Sequence, residues 1–110
     1  SQENSLEYDR IRKILSYIEE NYQNKITLND IAGHIHLCES ECTRLFKRHM
    51  NTTLFTFLQE YRIERSLEFL QSGEPVSDVA LNTGFSDPNY YSKVFAKIKG
   101  CSPREYRKHR

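Results

Sequence analysis

Arg44 and Lys93 are the side chains of this 110-residue sequence best suited to reading an anionic partner. A guanidinium presents a planar fork that can bond O6 and N7 of guanine together, and an ammonium can reach the same edge as a compact donor. Asn89 can pair with adenine through two bonds, and Tyr90 offers a ring to a base edge or sugar. Ser40 and Thr43 can donate or accept, and the Thr methyl can touch a thymine methyl. Lys47, Arg48, Ser92, Lys97, Lys99, Arg104 and Arg107 have the chemistry of phosphate contacts, which position a protein without reading sequence. Glu39 and Glu41 suit the start of a helix but repel DNA unless one accepts from a cytosine amino group.

A second chemistry is open to His34, His36, Cys38 and Cys42, which fall within nine residues. Zinc takes such ligands, and residues i and i+4 share a helical face. The spacing matches no common zinc pattern, and Cys42 falls on an apolar stripe where a free Cys acts as a small hydrophobe. No metal or other cofactor is therefore assigned, and metal or redox sensing stands as the alternative reading. No Gly-rich phosphate loop, HExxH sequence or plausible nucleophile–base pair is present, so no enzyme is expected. A helical protein-interaction module would differ from a DNA binder in showing little salt dependence.

The elements that must carry these residues are helices. Ile11, Ile14, Leu15, Ile18 and Tyr22 recur at helical spacing, with Asn4 and Glu7 resembling a capping box and Gln23-Asn24 a stop. Thr27-Leu-Asn-Asp30 opens a second helix with Leu28, Ile31, Ala32 and Ile35 facing inward. After a turn at His36-Leu37, a third runs over about 39–50. Thr53 caps a long fourth helix carrying Leu54, Phe57, Leu58, Tyr61, Leu67 and Leu70, ending at Ser72-Gly73. A fifth opens near Pro75. Asp87-Pro88 starts a sixth, whose Tyr91, Val94, Phe95 and Ile98 point inward, and Ser102-Pro-Arg-Glu105 starts a seventh. The fold class expected is all-α, with about seven helices.

The sequence also repeats itself. Asp30-Ile31-Ala32 answers Asp78-Val79-Ala80, His36-Leu37 answers Gly84-Phe85, and Cys38 answers Ser86. After one extra residue in the second copy, Thr43-Arg44-Leu45-Phe46 answers Ser92-Lys93-Val94-Phe95. Asn51 then answers Gly100, Thr53 answers Ser102, and Phe57 answers Tyr106. Each copy is a short helix, a tight turn and a second helix ending at a residue that tolerates positive φ. That is the helix-turn-helix plan, whose second helix lies in the DNA major groove. The expected organisation is a polar tail or linker remnant at 1–5 and a first helix-turn-helix subdomain at 6–52. A linker helix follows at 53–72, then a second subdomain at 73–110.

Composition agrees. The chain is 37% hydrophobic with seven Tyr and six Phe, too apolar for a disordered segment. No run of roughly 18 apolar residues exists for a membrane span. Three cysteines without a Cys-x-x-Cys pair argue against a disulfide framework and for a reducing compartment. The net charge of +1 hides segregation, because residues 86–110 hold seven Lys or Arg against two Asp or Glu. A polar start at Ser1–Asn4, without Met, points to a piece of a longer chain.

These motifs resemble the C-terminal DNA-binding domain of the AraC/XylS family of bacterial transcription regulators, over about Leu6–Tyr106. The most specific stretch runs from Asp78-Val79-Ala80 through Gly84-Phe85-Ser86-Asp87-Pro88-Asn89-Tyr90-Tyr91-Ser92-Lys93-Val94-Phe95. It closes at Gly100-Cys-Ser-Pro-Arg-Glu-Tyr-Arg107. Arg44-Leu-Phe-Lys47 and Tyr61-Arg62-Ile63 match the earlier half. The resemblance implies two helix-turn-helix units binding double-stranded promoter DNA without a cofactor, in the bacterial cytoplasm at the nucleoid. It also implies a further effector-sensing or dimerising domain, with RNA polymerase as a candidate partner and no membrane. Cys38 stands where the family prefers a capping Ser, Cys42 replaces a usual Leu, Asn51 a Gly and Ser66 an Ala. The first recognition helix is accordingly expected to fray more than the second.

Overall fold

The computed structural model describes residues 2–109, with side chains from Asn4 onward. Among the described residues it is all-α, with seven helices: α1 (Gln2–Asn21), α2 (Leu28–His34), α3 (Glu39–Met50), α4 (Leu54–Gln71), α5 (Val76–Asn82), α6 (Pro88–Lys99) and α7 (Pro103–Lys108). Residues 2–5, expected as a polar tail, belong to α1. The helix starts upstream of Asn4, so Asn4 and Glu7 lie inside it rather than forming its capping box. Ser1 lies outside the described residues.

Most boundaries follow from local chemistry. Thr27 closes a capping box with Asp30, and Ser102 closes one with Glu105. The amide hydrogen bonds that each carboxylate accepts from its cap residue hold both acids below their usual pKa. Asp87 caps α6 with Pro88 in its first turn, where the missing N–H would have had no helical partner. α3 and α6 each end on a left-handed residue, Asn51 (φ 57°) and Gly100 (φ 80°).

The chain forms two compact units, Ser1–Leu58 and Gln59–Arg110, and the division falls inside α4. In the first, Ile14 and Ile18 of α1 are buried, as are Ile31 and Ala32 of α2 and Cys42, Leu45 and Phe46 of α3. In the second, Ile63 and Leu70 of α4 cluster with Val79, Ala80, Phe85, Tyr91, Val94 and Phe95. Burying each large side chain contributes about 1.5–3 kcal/mol. Ile98, expected inward, is instead 36% exposed. It lies one residue from the end of α6, beyond the last buried turn.

The sequence repeat is visible in the hydrogen bonds. Leu37 N–H donates to Ala32 O at 3.0 Å, and Phe85 N–H to Ala80 O at 2.9 Å. Asn51 N–H donates to Lys47 O at 3.0 Å, and Gly100 N–H to Ala96 O at 2.8 Å. Phe46 meets Phe57 edge-on at 5.5 Å and 72°, and the corresponding Phe95 meets Tyr106 at 5.6 Å and 77°. His36 adopts φ 59° at the turn where the second copy has Gly84 at φ 96°.

Two of the expected departures have visible consequences. Cys38 is the N-cap of α3 but makes no side-chain cap bond, leaving that helix start less well held. Ser66 is fully buried, donates to Ile63 O at 2.6 Å and accepts from Tyr91 Oη at 2.8 Å. A family Ala there would leave that phenol without this partner. Burial pushes the Tyr91 hydroxyl up in pKa, against the smaller opposing effect of the Ser66 bond.

Candidate nucleic-acid interface

Helix α3 turns Cys42, Leu45 and Phe46 into the first core, and one stripe of the helix is thereby committed. Ser40, Thr43, Arg44, Lys47 and Arg48 fall outside that stripe and are all exposed. Arg44 and Lys47 have no ion-pair partner among the described residues, so their charges remain open to another molecule. Arg48 is engaged, donating to Glu7 Oε2 of α1 at 2.7 Å. His49 meets the other Glu7 oxygen at 2.7 Å, with Tyr8 edge-on to its ring at 5.3 Å. The His49 hydrogen bond is the leading cause that holds the Glu7 carboxyl below its usual pKa, helped by the Arg48 guanidinium.

Helix α6 repeats the arrangement. Tyr91, Val94 and Phe95 face the second core, whereas Asn89, Tyr90, Lys93 and Lys97 are exposed and Ser92 is half-buried. Lys93, matching Arg44 in the repeat, likewise has no ion-pair partner among the described residues; nor do Lys97 and Arg104. Lys99 is paired at 2.5 Å with Glu64 of α4. Tyr90 leans towards Phe85 and accepts a hydrogen bond from Gln59 Nε2.

Arg107, expected at a phosphate, is turned inward. Its Nε donates to Leu70 O at 2.9 Å and its guanidinium also donates to Glu74 O. It therefore adds a second donor to Leu70 O, which already accepts from Gly73 N–H, and ties down Glu74 O beyond the end of α4. Beside it, the openings of α5, α6 and α7 border a cleft of about 490 Å³. Ser77, Asn89, Ser92, Arg104 and Arg107 line it, and no acidic residue does.

The cysteine–histidine cluster is not brought together. Cys42 is fully buried, and burial raises its thiol pKa, whereas His34, His36 and Cys38 are exposed. His34 packs its ring 5.0 Å from Tyr17. Among the described residues, no group of three or more His, Cys, Asp or Glu is placed to hold a metal ion. No described helix is long and apolar enough to cross a membrane.

Sequence patterning places the outward stripes of α3 and α6 but misses Glu7, Gln59 and Glu64, which act on them from other helices. Their partners are 31 to 42 residues away in sequence, so no local spacing announces them.

Two helix-turn-helix units with basic, outward-facing second helices define a DNA-binding protein of the helix-turn-helix class. Residues 31–109 match the helix-turn-helix domain family. The chain is 38% identical over 112 aligned positions to the uncharacterized HTH-type transcriptional regulator YdeC of Bacillus subtilis. That alignment covers 94% of this chain but 38% of the relative's length. The C-terminal domain of AraT, a response regulator from Geobacillus stearothermophilus, superposes with a TM-score of 0.88 at 26% identity. It covers 92% of this chain and 85% of that one. The DNA-binding domain of the global transcriptional factor AdpA, solved with a target DNA, has the same fold (TM-score 0.84, 19% identity, 89% of each chain). The chain belongs to the AraC family of transcription regulators, as a DNA-binding domain of its helix-turn-helix type; the family is not one of enzymes.

Proposed function

We propose that this domain binds double-stranded promoter DNA sequence-specifically, with α3 and α6 reading two successive major-groove segments. The observation that carries the reading is the matched pair Arg44 and Lys93. They occupy corresponding positions of the repeat, are exposed, and have no ion-pair partner among the described residues. Arg44 reads a guanine edge, with Ser40 and Thr43 beside it. Lys93 does the same for the second unit, with Asn89 and Tyr90. Lys47, Ser92, Lys97 and Arg104 meet phosphates, as do Arg48 and Lys99 where their present partners yield. Arg107 serves structurally, by holding carbonyls at and beyond the end of α4.

AdpA's DNA-binding domain, solved in complex with a target DNA, has the same fold, which supports duplex DNA as the partner. The rest of the regulator supplies effector sensing or dimerisation, RNA polymerase is the partner at the promoter, and the bacterial cytoplasm is the site of action.

Selection of bound duplexes from random DNA, followed by titration of single variants, tests this. Arg44→Ala and Lys93→Ala should each cost about 1–3 kcal/mol and relax preference at one base position. Full affinity and unchanged preference in both variants would refute the assignment.

A further inference from the structure

Among the described residues proposed to contact bases, Tyr90 is the one whose side-chain tip is held by another helix. It occupies the third position of α6 and is 47% exposed, so its ring would ordinarily sample several rotamers. Two contacts oppose that freedom. The ring lies 6.1 Å from the ring of Phe85, which is 4% exposed and thus fixed in the core. The hydroxyl oxygen accepts a hydrogen bond from Gln59 Nε2 of α4, in the same compact unit. An aromatic ring has two side-chain torsions, and contacts at its edge and its tip together fix both.

We propose that Gln59 is a positioning residue for DNA readout: it holds Tyr90 in place and directs the Tyr90 O–H outward as a donor. This rests on the reading of Tyr90 as a DNA contact. The polarity follows from the amide atom that meets the phenol, Nε2, which carries hydrogens and can only donate. A phenol can donate one hydrogen and also accept. Because the amide supplies the hydrogen shared with Gln59, the phenol's own hydrogen is left for another acceptor. The duplex offers acceptors: purine N7, guanine O6 and thymine O4 in the major groove, and phosphate oxygens along its rim.

Residue 59 suits this task in a way its charged analogues would not. A glutamate could only accept, so it would take the Tyr90 hydrogen and set a negative charge beside the DNA. Gln59 keeps the site neutral and leaves the hydroxyl's donor capacity unspent. Holding the ring before DNA arrives also avoids ordering it on binding, which raises affinity without any new contact.

The test is a double-mutant cycle on the 110-residue chain, using the duplex it selects from random DNA and a set with each base pair permuted. Tyr90→Phe should weaken binding by roughly three- to tenfold, the range of one hydrogen bond. Gln59→Met should lose most of the same factor, and the double variant should bind no worse than Tyr90→Phe alone. Gln59→Glu should lose at least as much as Gln59→Met. Thermal midpoints should stay together, because Tyr90 is exposed and Gln59 only half-buried, and neither belongs to the core. Loss confined to one base pair places the acceptor on a base, and loss common to all duplexes places it on phosphate; either keeps the tether. Losses that add in the double variant, or a silent Gln59→Met beside a damaging Tyr90→Phe, would overturn the role of Gln59. Wild-type affinity in both Tyr90→Phe and Tyr90→Ala would instead remove the reading on which it rests.

Discussion

Cys38→Ser should stabilise the protein, and the magnitude can be worked from its own second cap. Cys38 has φ −74° and ψ 162°, and Ser102 has φ −73° and ψ 160°. The two backbones are already superimposable in conformation, so nothing need move for a hydroxyl to cap α3. Ser102 Oγ accepts from Glu105 N–H at 3.1 Å, and Glu105 returns a bond from Ser102 N–H at 3.0 Å. Three residues beyond Cys38 stands Glu41, the counterpart of Glu105 in that reciprocal arrangement. The thiol is exposed, and its own contact is a 3.5 Å approach to Ser40 Oγ, so little is lost with the sulfur. A gained cap is worth about 1 kcal/mol, which raises the midpoint of a domain this size by about 4 °C. Urea and thermal unfolding should both register the gain, and amide exchange at Glu41 should slow. Ser102→Ala should lose a similar amount as the converse control. An unchanged or lowered midpoint, or a Glu41 amide that exchanges as before, would show that the helix start is already satisfied by other means.

Ser66→Ala should cost about 1–3 kcal/mol by orphaning the buried Tyr91 hydroxyl, and Tyr91→Phe in the same chain should recover much of it; chemical denaturation of the three variants reads both. Arg107→Gln should lower the unfolding midpoint while leaving the salt slope of duplex binding unchanged, because its donors serve backbone carbonyls. Lys97→Ala should do the reverse, weakening all duplexes alike and flattening that slope by about one unit. Glu7 titrates below its ordinary value of 4.5, so the stability it brings is present above that pH and lost as pH falls through the lowered value. Glu7→Gln should therefore destabilise the protein at neutral pH and blunt its acid-induced loss of stability below about pH 4.5, as followed by circular dichroism.

What the sequence made legible was short in range. Thr27 with Asp30, Ser102 with Glu105, and Asp87 with Pro88 sit within three residues of each other and mark helix starts directly. Asn51 and Gly100 mark stops for the same reason. The repeat worked because paired substitutions such as Phe57 for Tyr106 preserve one packing geometry. The start of α1 was not legible, since Asn4 carries a capping side chain wherever the helix begins. Nor was the exposure of Ile98, because helical spacing continues past the point where a neighbour stops covering it. In the interface, spacing identifies which residues of α3 and α6 face outward. It does not show which are already occupied. The inward turn of Arg107 and the pairing of Arg48 with Glu7 depend on backbone and carboxylates far along the chain.

The imidazole at the corner of the first unit has a consequence of its own. At φ 59° an L-residue is crowded by its own Cβ, a burden of about 1–2 kcal/mol that a glycine escapes. Neighbouring Ile35, by contrast, is 4% exposed and valued for bulk. Positions 35 and 36 should thus tolerate opposite alphabets: the former aliphatic and intolerant of shrinkage, the latter welcoming glycine or asparagine and rejecting valine or isoleucine. Among natural variants of this domain, the bend is where the smallest residue can be gained without loss, and one step earlier is where it cannot.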